Sequence, residues 1–397
     1  MSAPMLYENK AQVLYGPKDL RLISRPIPPP AADEVQVAIR STTLCGSDVH
    51  YYTHYANGDI KIREPLSQGH ESAGEVVALG RDVTALHIGD RVALEVGVPC
   101  ELPSCDECDT GRYNLCGQMR FRSSAARFPH FQGTLRERVN HPARWCHPLP
   151  VDMSWDAGAL LEPLSVAVHA VRKAGLRPGA SVLVVGAGAV GLMCAAVAKA
   201  AGCADVTMTD IAANRLRFAL ENGFADATSV VAPPKRNSVP TLEDGLASAR
   251  ENAVRATEAK TTATSKGGKF HATFECTGVE SCVQTSIYVC PPARATRPGG
   301  KVLLIGLGVP IETLPMSVVV QHEVDLVGVW RYANTYPRAL EIMQAAGKEG
   351  TNVPDLQKLL THRFHGLETA PKAFVTAART TDDDGEVVIK VVVVVNN

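Results

Sequence analysis

The 397-residue chain sets 40 Lys and Arg against 41 Asp and Glu, a formal net charge of -1, with 45% hydrophobic and 20% charged residues. That balance removes any electrostatic case for nucleic acid or an anionic membrane as partner, and the length exceeds what one hydrophobic core usually serves, so two domains are expected. No apolar run approaches the ~20 residues of a membrane helix, and Met1 to Lys10 lacks the order of a secretory signal. The expectation is therefore a cytoplasmic protein whose 11 cysteines are thiols or metal ligands rather than disulfides.

In chain order, Glu34 to Arg40 alternates as a strand, Gly74 to Leu79 reads as a second and Arg91 to Leu94 as a third, with Pro26 and Pro28 to Pro30 marking irregular connections. Two short runs among them carry chemistry: Cys45-Gly46-Ser47-Asp48 and Gly69-His70-Glu71. Thiolate, imidazole and carboxylate all suit zinc, and three protein ligands plus water leave the open position that a catalytic metal requires. Glu162, further on, is a fourth candidate. Any of these residues taken alone is more often structural.

Cys100, Cys105, Cys108 and Cys116 crowd into a turn-rich segment. Four soft thiolates on one irregular lobe suit a closed, structural zinc site, the alternative being four unrelated thiols. Cys194, Cys203, Cys276, Cys282 and Cys290 sit where cysteine packs as a small hydrophobe, and none is assigned a metal.

The texture changes at Trp155. An apolar helix-forming segment, Asp156 to Val171, carries Glu162, and from Ser181 onward strands and helices alternate as in a parallel sheet wrapped by helices. Ser181 to Val185 reads as a strand buried on both faces. Gly186-Ala187-Gly188-Ala189-Val190-Gly191 follows at once, then a helix from Leu192 to Ala201. Strand, glycines and helix thus occur in the order that binds a dinucleotide pyrophosphate on a helix N-terminus. The next strand, Asp205 to Thr209, ends at Asp210, where an acid would bind the adenosine ribose and repel a 2'-phosphate. This favours NAD over NADP, with Arg215 close enough in sequence to reach the adenine or a phosphate; the alternative is that Asp210 caps the following helix. The long polar segment Pro233 to Lys269, helix-forming and turn-rich in sequence, reads as a surface excursion with little bearing on chemistry. Pro337 to Ala346 reads as a helix. The valine run within Glu386 to Val395 would, by itself, look like an aggregation hazard on an unpaired edge.

The segments Cys45-Gly46-Ser47-Asp48-Val49-His50-Tyr51, Gly69-His70-Glu71-Ser72-Ala73-Gly74, Gly89-Asp90-Arg91-Val92, Gly111-Arg112-Tyr113-Asn114-Leu115-Cys116, Leu161-Glu162-Pro163-Leu164-Ser165, the glycine fingerprint and Arg331-Tyr332 resemble the zinc-dependent medium-chain dehydrogenases, in particular their polyol branch. The resemblance covers nearly the whole chain. It implies an α/β fold: a GroES-like, β-rich catalytic domain over 1–160, completed by 335–397, and a Rossmann domain with a doubly wound parallel sheet over 161–334. The valine run is then a final strand.

It implies zinc ligands Cys45, His70 and Glu71, with Glu162 bound directly or through the metal's water, and structural zinc ligands Cys100, Cys105, Cys108 and Cys116. The four residues between Cys100 and Cys105 are more than the family usually has there, which puts occupancy of the second site in question. Ser47 resembles the hydroxyl that takes the substrate proton and His50 the relay toward solvent. Tyr51, Phe121, Glu162, Arg331 and Tyr332 would meet the substrate, and Gly186, Gly188, Val190, Gly191, Asp210 and Arg215 the NAD. The implied reaction is reversible oxidation of a secondary hydroxyl of a sugar alcohol to the ketose, in a homotetramer. The alternatives are a zinc enzyme of this fold acting on threonine or a simple alcohol, and a metal-free NAD-binding redox sensor.

Overall fold

The computed structural model describes residues 7–231, 241–264, 269–288 and 296–395. They form two compact units, one of Met1–Pro163 with Leu359–Asn397, the other of Leu164–Lys358.

The first unit is built round Glu34–Thr43, whose β-branched residues are buried on both faces along most of its length. Glu71–Leu79 pairs with it antiparallel on one side and Lys390–Val394 on the other, within a seven-stranded sheet. Lys390–Val394 also pairs, in parallel, with Leu360–His365. The valine run is thus an interior strand with partners on both sides, not an open edge, and its register sets Val392 against Thr43. A second sheet joins Asp19–Ile27, Tyr7–Gly16 and Leu66–Ser67.

The second unit holds six parallel strands in the order Ala227–Val230, Asp205–Asp210, Ser181–Val185, Phe270–Glu275, Thr296–Leu304, Asp325–Gly328. Every residue of Ser181–Val185 is buried, as the sequence implied. The strand order reverses between Ser181–Val185 and Phe270–Glu275, the position at which such sheets bind ligands beyond their carboxyl ends.

Two expectations are revised here. The chain rejoins the first unit at Leu359 rather than at residue 335. Residues 335–358 stay with the second unit, where Thr351, Asn352 and Val353 line a cavity with Lys199 of the helix Ala189–Ala200 and with Cys203 and Asp226 of its loops. Nor is the Pro233 to Lys269 segment merely a surface excursion. Residues 232–240 and 265–268 lie outside the described part, but Leu242–Thr264 is a 23-residue helix. Ala249, Ala253 and Ala256 on one of its faces are buried against Leu183, Val185, Phe270 and Tyr288. Lys260, 2% exposed, lies 3.8 Å from the equally buried Asp205. Small alanines at helical spacing let the helix sit close on the sheet, a signal masked in the sequence by its polar outer face. Cys290 also lies outside the described residues. Among the described residues, no helix is long and apolar enough to cross a membrane.

Candidate active site

Cys45 stands just before the helix Gly46–His54, where its backbone N–H donates to the Asp48 carboxylate at 3.2 Å. Glu71 begins the strand Glu71–Leu79, directly opposite Thr43, and His70 precedes it. Helix start and strand start converge, so that one donor atom each from Cys45, His70 and Glu71 lies within 4.8 Å of the others.

Each member of this cluster is held by a partner. His70 Nδ1 donates to Ser123 Oγ at 2.7 Å and lies 3.3 Å from Asp48 Oδ1, while Ser123 Oγ donates to the same Asp48 oxygen at 3.2 Å. The Gly69 amide adds another bond to it at 3.1 Å. Engagement of Nδ1 leaves Nε2 as the nitrogen available to a metal, and a carboxylate behind a ligating histidine is a recurrent zinc arrangement. Burial opposes protonation of His70, but Asp48 and then Cys45 outweigh it and hold the imidazole pKa well above its usual value. Burial is the largest single influence on Asp48 and raises its pKa, but His70 and the amides of Gly69 and Cys45 together outweigh it, so the net shift is downward.

Glu71, wholly buried, accepts from Lys390 Nζ at 2.6 Å on Oε1, with 2.5 Å to Oε2, and from the Thr43 hydroxyl. Burial disfavours the Lys390 ammonium, but Glu71, Cys45 and Glu162 together raise its pKa above the usual value. Each Glu71 oxygen keeps a lone pair beyond these bonds, so the soft–borderline–hard donor set fits zinc.

Glu162 is buried and near enough to influence Lys390, yet its carboxylate is not among the clustered donors. Ser47 is half-buried and His50 exposed, one turn apart on the helix Gly46–His54. Local desolvation and then His54 lower the His50 pKa. The Phe121 ring centroid is 5.5 Å from that of His70, which puts Phe121 at the cluster. Tyr51 is buried, its hydroxyl accepting from the Ala125 amide at 3.1 Å.

Asp48, Thr43, Ser123 and Lys390 were missed as functional residues in the sequence. Only Asp48 left a sign, its three-residue offset from Cys45 being that of a helix-capping acid.

In the lobe, the four thiols of Cys100, Cys105, Cys108 and Cys116 also lie within 4.8 Å of one another. Glu101 takes a positive φ of 56°, and the Cys105 amide bonds back to the Leu102 carbonyl at 3.0 Å, so a tight turn absorbs the wide spacing. Burial raises the Cys116 thiol, but the amides of Cys100 and Gln118 bring it down to about 7. Against a lowering bond from the Cys108 amide, burial and bonds to neighbouring thiols and Glu107 push Cys105 up to about 12, and burial raises Cys108. It is the gathering of four soft donors in one cluster that fits a structural zinc.

In the second unit, Gly186 turns the chain at φ 101°, and a Cβ on Gly191 would stand 1.9 Å from the Gly186 carbonyl oxygen, so only glycine lets helix and loop close. Gly188 caps the helix Ala189–Ala200, whose first turn contains Val190. Asp210 ends its strand beside this loop and accepts from the Ala187 amide at 2.6 Å and the Ala212 amide at 2.7 Å. It therefore ties the glycine loop to the start of the next helix. Arg215 lies with its guanidinium 4.0 Å from where a Gly188 Cβ would be. Burial lowers its pKa and Asp210 opposes that. Arg331 and Tyr332 belong to this unit. Arg331 has a positive φ of 51° and stacks its guanidinium 4.7 Å over Trp330, while Tyr332 is buried with its ring 5.7 Å from Tyr336.

Residues 31–151 match the alcohol dehydrogenase GroES-like domain and residues 189–345 the zinc-binding dehydrogenase family. The sorbitol dehydrogenase of Gallus gallus is 40% identical over 373 residues, covering 94% of each chain. The L-arabinitol 4-dehydrogenase of Hypocrea jecorina is 42% identical over 346 residues, 87% of this chain and 82% of that one. The crystal structure of L-idonate 5-dehydrogenase from Escherichia coli K-12 matches with a TM-score of 0.79 at 25% identity, over 98% of this chain and 99% of that. The chain is therefore an oxidoreductase of the zinc-binding dehydrogenase family, in the branch that holds the sorbitol and L-arabinitol dehydrogenases.

Proposed function

We propose that this protein oxidises a secondary hydroxyl of a C5 or C6 sugar alcohol to the ketose, reversibly, with zinc and NAD. The observation that carries the reading is the convergence of Cys45, His70 and Glu71 within 4.8 Å. Relatives named for sorbitol and L-arabinitol support the substrate class.

Zinc held by Cys45, His70 and Glu71 would supply a Lewis acid that makes a substrate hydroxyl easier to deprotonate, and NAD would supply the hydride acceptor. Ser47 takes the hydroxyl proton and passes it to His50, whose lowered pKa leaves the ring neutral and able to receive it near pH 7. Asp48 and Ser123 hold the His70 ring, and Lys390 balances the Glu71 charge. Glu162, outside the donor cluster, acts through a water. Tyr51, Phe121, Arg331 and Tyr332 are assigned to the substrate by the family resemblance alone, since a polyol needs several fixed polar partners.

Asp210 places its carboxylate at the glycine loop, which supports NAD over NADP; Arg215 at the same loop is the counter-influence. The four-cysteine lobe would hold a structural zinc. We further propose a cytoplasmic homotetramer: the ten cysteines of the described residues are all free thiols, and among the described residues Asp325–Gly328 has a strand partner on one side only, leaving the other edge for a second copy. A light-scattering mass equal to the monomer would overturn the assembly.

The deciding experiment is the initial rate of NADH formation across C5 and C6 sugar alcohols, with threonine and ethanol included. Rapid oxidation of one or more polyols supports the reading. Activity confined to threonine or ethanol would move the protein to another substrate class.

A further inference from the structure

Glu275 ends the strand Phe270–Glu275, next to the central strand and across the point where the strand order reverses. Its side chain is completely buried, and its hydrogen bonds among the described residues all come from backbone amides and a hydroxyl. Oε1 accepts from the Thr277 amide at 2.8 Å, from the Thr277 hydroxyl and from the Gly278 amide at 3.2 Å; Oε2 accepts from the same Gly278 amide at 3.0 Å. Its backbone carbonyl accepts from the amides of Ile305 and Gly306, at 2.9 and 3.0 Å. One residue thus holds two loops, one after each of two adjacent strands.

Those loops touch backbone to backbone. A Cβ on Gly306 would fall 2.0 Å from the Gly278 nitrogen, and one on Gly308 would fall 1.6 Å from the Gly278 oxygen. Thr277 in turn reaches the fingerprint, its Cγ2 lying 2.8 Å from where a Gly186 Cβ would be. The glycine loop and the Thr277–Gly278 loop therefore adjoin at the carboxyl end of the sheet, where its strand order reverses. Asp210, on the other side of the central strand, marks the adenosine end, and the helix from Ala189 takes the pyrophosphate. The remaining half of a dinucleotide must then run over the ends of Phe270–Glu275 and Thr296–Leu304.

We propose that Glu275 is a positioning residue for the nicotinamide half of the cofactor: by gathering the Thr277 and Gly278 donors it sets the wall against which that half rests. The proposal rests on the dinucleotide reading above. All its partners are donors, so the group acts as a carboxylate. Burial raises its pKa above the usual carboxylate value, and the Thr277 and Gly278 bonds offset only part of that. The E275Q substitution keeps the shape but turns an N–H toward an N–H, since an amide cannot accept on both atoms.

The test uses the zinc-loaded full-length enzyme and compares the parent with E275Q and T277V, the latter removing a single donor. NADH affinity is read by fluorescence, AMP affinity by competition, and zinc content serves as the folding control. The expected result is a roughly tenfold rise in the NADH dissociation constant for E275Q and a smaller rise for T277V, with AMP affinity and zinc content unchanged. KM for NAD should rise with little change in KM for the polyol. NADH affinity unchanged in T277V and E275Q, or an equal loss for AMP, overturns the proposal; if E275Q does not fold, T277V decides on the same readings. A parent that binds AMP but not NADH would overturn the cofactor reading, and this proposal with it, which is a distinct result from failure in the variants alone.

Discussion

Lys390 Nζ lies 2.5 to 2.6 Å from both carboxylate oxygens of Glu71, across 319 residues of sequence and with neither side chain more than 4% exposed. The pair joins the last strand of the chain to a candidate metal ligand. Removing one partner of a buried ion pair leaves the other uncompensated, so K390M should destabilise the first unit by about 3–5 kcal/mol and lower zinc content, while K390R should recover part of both. Denaturant unfolding and zinc analysis would check this, and unchanged zinc retention in K390M would rule out the coupling.

His70→Ala should empty the catalytic metal site and abolish polyol turnover while NADH binding persists, because the glycine fingerprint belongs to the other unit. Zinc content, turnover and NADH fluorescence make the comparison. A variant with parental turnover would remove His70 from the ligand set.

Asp210 accepts from two backbone amides, and in the proposed NAD reading it also meets the adenosine ribose. D210A should therefore weaken NAD binding and narrow its preference over NADP at once, with D210N retaining more loop order but no charge against a 2'-phosphate. Parallel NADH and NADPH titrations would show it; a preference unaltered in both variants would argue that Asp210 only organises the loop.

His169 Nδ1 accepts from Arg172 at 3.0 Å, and Arg172 also holds the Ala333 carbonyl at 2.7 Å, next to Tyr332. Burial, then Arg172 and Lys173, pull the His169 pKa down to about 4 from 6.5. The unfolded chain binds more protons between these values, so the His169 contribution is complete above 6.5 and is lost as the pH falls through about 4. H169Q keeps an acceptor for Arg172 without titrating. Its stability should fall less steeply than the parent's over this range, measured by urea unfolding at several pH values, and equal slopes would contradict the assignment.

The helix Leu242–Thr264 makes a further test. A256F would crowd a fully buried alanine against the sheet and should cost about 1–3 kcal/mol, whereas the same change on a surface excursion would be nearly neutral. K260M, which strands Asp205, should cost more. Thermal unfolding distinguishes the two views.

Local pattern alone identified the strand Ser181–Val185, the glycine fingerprint, the acid at Asp210 and the two donor runs at Cys45 and at His70-Glu71, because each depends on neighbours a few residues apart. The four-cysteine lobe was legible as well, though the turn at Glu101 that lets its wide spacing close was not. What the sequence left open depends on contacts between distant segments. Lys390 sits in a run of valines, and nothing nearby announces that strand pairing will bring its ammonium to Glu71. The burial of the Leu242–Thr264 helix was hidden by the polar residues around its alanines, and Glu275 by the ordinary look of a strand's last residue. Periodicity and spacing report which residues share a face or a turn. Only the assembled sheets, which fix register between strands far apart in sequence, decided which side chains meet at the metal cluster and beside the glycine loop.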